Sequence, residues 1–246
     1  MRYNRRMEHG TLYLIPVTLG SEHTTELLPK SLPPDVISLT QKLEHFVVEN
    51  EKTARQFLGA IKHPKPIREL QFATLNEHTF EKDIPTLLEP ILAGNDVGLM
   101  SEAGCPGIAD PGAKLAALAH KKGIRVAPLV GPSAILLALM ASGLNGQKFT
   151  FLGYLPADKA ARIQALKSIE QRAKQAQETQ VFIETPYRNK QVLEDILATC
   201  HGETQLSIAC NVSLDDEFIV TKRIKDWKQG TLPDLHKKPT VFLLFA

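Results

Sequence analysis

The chain has 246 residues, 43% hydrophobic and 23% charged, with a formal net charge of +2. That balance suits one or two globular α/β domains with a real core. It neither demands nor excludes a nucleic-acid partner, and no apolar stretch is long enough to span a bilayer. Residues 1–10 are basic but lack the apolar centre of a signal peptide, so they read as a solvated arm or an arm touching RNA phosphate. The cysteines, Cys105, Cys200 and Cys210, form no C-x-x-C pair, which fits a reducing, cytoplasmic setting.

Apolar runs and turn residues predict elements in this order. A strand at 12–17 leads to a helix at 34–43, and a strand at 45–49 to a helix at 51–61. A strand at 70–75 precedes a helix at 81–93, and one at 97–101 precedes a helix at 113–122, which Gly123 stops as a C-cap. Strands at 125–130 and 149–155 flank a helix at 133–142. The helix at 158–175 is expected to turn Ile163, Leu166 and Ile169 inward and Lys159, Arg162, Lys167 and Arg172 outward. After a strand at 180–184, Thr185-Pro186 reads as an N-cap with Pro at the first helical position of a helix at 186–200, stopped by Gly202. Strands at 205–211, 217–224 and 240–245 complete the chain.

Alternation of this kind predicts parallel sheets with helices on both faces. The strands are too many for one small sheet. Two α/β halves are expected, residues 11–127 and 128–246, with the join inside 127–146 and a cleft between them. No repeat of 20–50 residues is present.

Residues 101–112, Ser-Glu-Ala-Gly-Cys-Pro-Gly-Ile-Ala-Asp-Pro-Gly, lie between a strand and a helix, where open α/β sheets hold ligands. Gly104, Gly107 and Gly112 leave main chain bare, and Pro106 and Pro111 fix the loop's shape. Val130-Gly131-Pro132-Ser133-Ala134 is a second loop of this kind after the next strand, so one shared ligand site is expected. No P-loop, G-x-G-x-x-G, H-E-x-x-H or G-x-S-x-G motif is present, and the scattered histidines give no metal spacing. What remains is a cradle of backbone, with Ser133 able to cap its helix and offer a hydroxyl.

Several stretches carry a resemblance. Pro16, residues 99–106, Asp110-Pro111-Gly112, residues 130–134 and Phe151-Leu152-Gly153-Tyr154-Leu155-Pro156 occur in order. They resemble the tetrapyrrole methylase superfamily of S-adenosylmethionine-dependent methyltransferases. The nearest branch is the 16S ribosomal RNA cytidine 2′-O-ribose methyltransferases. The resemblance implies two αβα subdomains with the cofactor in the cleft between them, usually in a homodimer. Carried over by position, it implies cofactor contacts at Pro16, Ala103, Gly104, Cys105, Ile108, Ser133, Ala134, Glu184, Thr185, Asn211 and Val212. It implies S-adenosylmethionine as methyl donor, S-adenosylhomocysteine as product, and ribosomal RNA or the small ribosomal subunit as partner, with no metal. The departures are Glu102 for Asp and Cys105 for Thr in Ser-Asp-Ala-Gly-Thr-Pro, and Glu49-Asn50-Glu51-Lys52 for Glu-Asp-Thr-Arg. The first loop reads Pro16-Val17-Thr18-Leu19-Gly20-Ser21 for Pro-Thr-Pro-Ile-Gly-Asn. After the last strand the sequence continues into no C-terminal extension of the ribosomal branch, so a short form is expected.

Methyl transfer from a sulfonium is an in-line displacement, served mainly by alignment and exclusion of water. A ribose hydroxyl gains from a base. Glu49, Glu102, Asp110 and Glu184 are the candidates; each also reads as helix N-terminal charge, loop bonding or solvated surface. Arg188 or Arg55 is a candidate phosphate or carboxylate holder, or else an exposed ion pair. Cys105 reads as a small packing residue beside the cofactor. A methyltransferase for a tetrapyrrole or other small molecule, and a non-catalytic module binding the same cofactor, are the alternatives.

Overall fold

The computed structural model describes residues 9–246. The expected arm falls outside them except for His9 and Gly10. Gly10 is no part of a solvated arm: it is buried, and its N–H donates to Ile91 O at 2.9 Å. The chain divides into two units between Ser133 and Ala134.

The first unit runs β1 (Thr11–Leu14), α1 (Thr24–Ser31), α2 (Pro34–Thr40), β2 (His45–Val48), α3 (Glu51–Ala60), β3 (Gln71–Thr74), α4 (Glu89–Leu92), β4 (Val97–Met100), α5 (Gly112–Lys121) and β5 (Arg125–Pro128). Its sheet is parallel throughout, in the order β3-β2-β4-β1-β5. Alternate residues along each strand feed two cores, as the two-residue period of a strand requires. Ile15, Phe46, Val48 and Met100 pack with Leu28, Leu32, Phe57 and Leu58 of α1 to α3 and their flanks. On the other face Leu12, Val47, Val97 and Leu99 pack with Ile91 of α4 and Leu115 and Ala119 of α5. Gly98 sits where a Cβ would come 2.4 Å from Ile15 Cδ1, so a larger residue in β4 would have to displace that side chain.

Two expectations fail here. The helix expected at 81–93 is a 3-10 segment, Glu81–Leu88, followed by the single turn of α4; Pro85 and Pro90 each remove an amide an α-helix would use. The other difference is α1, where no element was expected; Pro29 lies in its last turn.

The second unit runs α6 (Ala134–Ser142), β6 (Phe149–Tyr154), α7 (Lys159–Ala176), β7 (Thr179–Glu184), α8 (Asn189–Thr199), β8 (Gln205–Cys210), β9 (Phe218–Arg223), α9 (Ile224–Gln229) and β10 (Thr240–Phe245). The order is β6-β7-β10-β8-β9. The expected all-parallel sheet is corrected: β6 and β7 are parallel, but β10 is antiparallel to both β7 and β8, and β8 to β9. The reason is connectivity, since no helix separates β8 from β9 and a short turn makes them a hairpin. Phe182 and Phe242 stack at 5.6 Å between centroids in a core closed by Leu166, Ile196 and Trp227.

Two further expectations are corrected. The helix after β7 starts at Asn189, not Pro186; Thr185 does not cap it with its side chain, although its carbonyl accepts the Arg188 N–H at 2.9 Å. Arg162 points inward rather than outward. It is 3% exposed, and its Nε and Nη2 donate to Asp195 Oδ2 on α8 at 2.8 and 2.7 Å. Its Nη1 donates to the carbonyls of Pro156 and Ala157. Asp158 does cap α7, accepting from the Ala161 N–H at 2.8 Å.

Candidate active site

In the first sheet the connection from β1 leads one way, to β2, and that from β4 leads the other way, past β1 to β5. Adjacent strands whose connections diverge leave room at their C-terminal ends, which is where open α/β sheets bind ligands. The chain after β1, the loop after β4 and the turn after β5 meet there. Ile15 N–H donates to Leu99 O at 2.8 Å and Val17 N–H to Gly104 O at 3.0 Å, joining the first two. Leu129 N–H donates to Leu14 O at 3.0 Å, joining the third. Gly131 lies so close that a Cβ on it would be 2.2 Å from Pro16 Cβ. Cys105 Sγ–H reaches across to the carbonyls of Pro132 at 3.3 Å and Gly131 at 3.7 Å. Burial pushes this thiol above its ordinary value, so it stays protonated and donates rather than attacks.

The loop after β4 is held by one side chain. Asp110 accepts the Gly107 N–H at 2.7 Å and the Gly112 N–H at 2.6 Å through its two oxygens. Gly104 at φ +70° and Gly107 at φ +84° take the left-handed turns that a Cβ would strain. A Cβ on Gly104 would also lie 3.2 Å from both Leu19 Cδ2 and Pro132 O. Ala103 and Ile108 are exposed on this loop, and Val130 is 73% exposed on its neighbour. Ser133 is half-buried at the end of the unit, and Ala134 opens α6.

The acids divide by role. Asp110 has both oxygens committed to backbone, and burial outweighs those bonds in raising its pKa. Glu102 is exposed. Glu49, at the end of β2, accepts the Glu102 N–H through Oε2 at 3.1 Å, and among the described residues no bond to Oε1 is found. Partial burial raises its pKa, helped by the charges of Glu102 and Asp110. Asn50 caps α3, its Oδ1 accepting the Lys52 N–H at 2.9 Å, so the Asn in Glu49-Asn50-Glu51-Lys52 keeps a capping function. Arg55 is drawn elsewhere: it pairs with Glu51 at 3.1 Å and lies 4.2 Å from the Phe72 ring centre on edge strand β3.

In the second unit, β7 and β8 flank the start of β10, with Thr240 opposite both Glu184 and Cys210. That register brings the Glu184-Thr185 and Asn211-Val212 turns to the same end of the sheet's central strands. Glu184 has a fully buried side chain; its Oε1 accepts from Thr185 N–H at 2.6 Å and from Arg188 Nε and Nη2 at 3.0 and 2.5 Å. Its Oε2 is buried without a partner. Asn211 is left-handed at φ 50° and spends its amide on Asp216 at 2.8 and 2.9 Å, and Val212 is buried. Among the described residues no group of three or more metal-ligating side chains converges, and no helix is long and apolar enough to cross a membrane.

Sequence reasoning singled out both loops of the first unit but missed that Cys105 joins them and that Gly131 abuts Pro16. The signal was their position after strands that are consecutive in the chain. It also missed the Arg162–Asp195 pair.

The family model described as Tetrapyrrole (Corrin/Porphyrin) Methylases matches residues 18–227. A Halalkalibacterium halodurans protein named Ribosomal RNA small subunit methyltransferase I is 30% identical over 233 residues, 94% of this chain and 72% of that protein. The protein of the same name in Haemophilus influenzae is 34% identical over 225 residues, 92% of this chain and 74% of that one. Among solved structures, the methyltransferase CobJ has a TM-score of 0.63 at 19% identity, covering 96% of this chain and 94% of that one. Cobalt precorrin-4 methyltransferase, CbiF, has 0.60 at 15%, covering 99% and 98%. These two likenesses concern the fold alone. A family match across most of the sequence, residues 18–227, on a fold shared with solved methyltransferases, means that the chain belongs to the tetrapyrrole (corrin/porphyrin) methylases, a family of methyltransferases.

Proposed function

We propose that the chain transfers the methyl group of S-adenosylmethionine to a ribose 2′-hydroxyl of small-subunit ribosomal RNA. The observation that carries this is the main-chain cradle at the ends of β1, β4 and β5, in a sequence resembling proteins named for small-subunit ribosomal RNA methylation. The donor set fits the cofactor. The exposed loop residues Ala103 and Ile108 and the half-buried Cys105 and Ser133-Ala134, backed by the buried Pro16 and Gly104, suit a nucleoside and an amino-acid moiety, and the nearby acids suit a cationic sulfonium. The chemistry that S-adenosylmethionine supplies when bound is an electrophilic methyl carbon.

The protein's part is alignment and one proton. Glu49 Oε1 accepts no bond among the described residues, and it is assigned as the base that accepts the hydroxyl proton. Asp110 holds the loop's shape. Arg188, gripped by Glu184, is the proposed phosphate holder, a role that Arg55's commitments to Glu51 and Phe72 do not support. Leu136 and Met140, 51% and 78% exposed one turn apart on α6, supply apolar surface for the proposed homodimer. Three free cysteines suit the proposed cytoplasmic setting.

The test is transfer of tritiated methyl to small subunits or their RNA, followed by alkaline hydrolysis. A methylated 2′-oxygen cannot attack the neighbouring phosphate, so label is expected in an alkali-resistant dinucleotide. Label in a mononucleotide, or only in tetrapyrrole precursors, overturns the reading.

The cradle has its own test. Gly131→Ala forces the turn after β5 away from Pro16, with an overpacking cost of about 1–3 kcal/mol. S-adenosylhomocysteine is expected to raise the melting temperature of the wild type and to raise that of the variant far less. Equal shifts would remove this pair of turns from the cofactor site.

A further inference from the structure

The turn after β7 carries an exposed aromatic that the proposed chemistry does not use. Tyr187 is 71% exposed, although it lies between the buried Glu184 and the buried Asn189. Its surroundings are fixed. Asn189 Nδ2 donates to Lys238 O at 2.7 Å and to Leu235 O at 3.4 Å, tying the start of α8 to the segment before β10. Lys237 N–H donates to Pro186 O at 3.1 Å, closing the same seam. Leu235 is buried in the second unit's core, which anchors that segment from below. On this frame the His236 and Tyr187 rings make a T-shaped contact, with centroids 6.4 Å apart at 78°, and Lys237 Nζ lies over the Tyr187 ring, 5.9 Å from its centre.

Charge at the surface here is positive and partly free. Arg188 and Lys238 are paired, with Glu184 and with Asp216 at 3.3 Å. Lys190 and Lys237 are exposed and form no ion pair among the described residues. An exposed aromatic ring in T-shaped contact with an imidazole, with a lysine ammonium over it and a second exposed lysine three residues on in sequence, is what single-stranded nucleic acid binds: bases stack on rings and phosphates follow the cations. A buried frame around an exposed ring also lowers the entropy cost of stacking on it.

We infer that Tyr187, in T-shaped contact with His236, is a stacking platform for an unpaired base of the RNA substrate, the strand's phosphates passing over Lys237 and Lys190. The inference rests on the ribosomal RNA reading above and adds where the strand is held. It gives the substrate class as single-stranded or looped RNA rather than duplex.

The experiment uses the full chain, with fluorescence anisotropy on an unstructured RNA oligonucleotide, a duplex of equal length, and methyl transfer to small subunits. Tyr187→Ala is expected to weaken oligonucleotide binding roughly tenfold and to raise KM with kcat unchanged. Tyr187→Phe is expected to stay within about twofold, because the stacking face survives. Lys237→Ala is expected to reduce the salt slope of binding by about 0.7, the contribution of one phosphate on a single strand. Unchanged melting temperatures keep these effects separate from folding. If the wild type methylates RNA and Tyr187→Ala matches it in affinity and KM, the platform alone is wrong. Tighter wild-type binding to the duplex than to the single strand also overturns it. If the wild type neither binds nor methylates RNA, the ribosomal reading falls and takes the platform with it.

Discussion

Glu49→Gln is expected to slow methyl transfer by about a hundredfold or more while leaving cofactor binding within a few-fold, the usual loss when a general base is removed. Gln keeps an oxygen to accept the Glu102 N–H, so the loop after β4 should hold its shape. What it loses is the proton acceptor at Oε1. The wild type's acid limb should lie above the ordinary glutamate range, because partial burial raises this carboxyl's pKa. Activity therefore rises with pH through that raised value. Stability runs the other way. A carboxyl whose folded-state pKa is raised contributes stability that is complete below its unfolded value and lost as pH rises through its folded value. Glu49→Gln should thus flatten the fall in melting temperature across that window and be at least as stable as wild type at neutral pH. Rates and melting curves from pH 4 to 8 decide the matter. An unchanged rate at all pH values would mean that no proton passes to Glu49.

Asp195→Ala is expected to cost about 3–5 kcal/mol, a large part of the stability of a domain this size. The change strands a guanidinium that is 3% exposed, with no other carboxylate bonded to it. The carbonyls of Pro156 and Ala157 remain as partners for Nη1 but carry no charge to balance it. Urea denaturation reads the loss as a lower midpoint with little change in slope. The double replacement Arg162→Met with Asp195→Leu should recover most of it, because burying two apolar side chains removes the unpaired charge. A loss below 1 kcal/mol for Asp195→Ala would mean that water reaches the pair.

That pair also marks what was legible in the sequence. Arg162, Leu166, Ile169 and Ala173 recur at the spacing of one helix face, and all are buried. Hydropathy alone sent the arginine outward, whereas the period placed it on the inner stripe with a buried carboxylate opposite. All ten strands were legible within a residue or two at most ends and three at β1, because short apolar runs bounded by Gly, Pro and polar residues are strong signals. Strand direction was not, since an apolar run such as Thr240–Phe245 reads the same both ways. Only the short link between β8 and β9 carried that information. The loops after β4 and β5 stood out for their Gly and Pro. Their linkage by Cys105 did not, because a single thiol among glycines reads as packing until its distance to Pro132 O is known.

The position of β10 bears on how the protein is made. It follows every other strand of its sheet in the chain, yet it lies between β7 and β8. During synthesis the first unit has all its strands once Pro128 has emerged, and it can fold while translation continues. The second must keep two strand edges unpaired until Thr240–Phe245 arrives to be inserted. That interval, with β7 and β8 open to pairing with neighbours on the polysome, is where aggregation competes with assembly and where a holdase chaperone would engage.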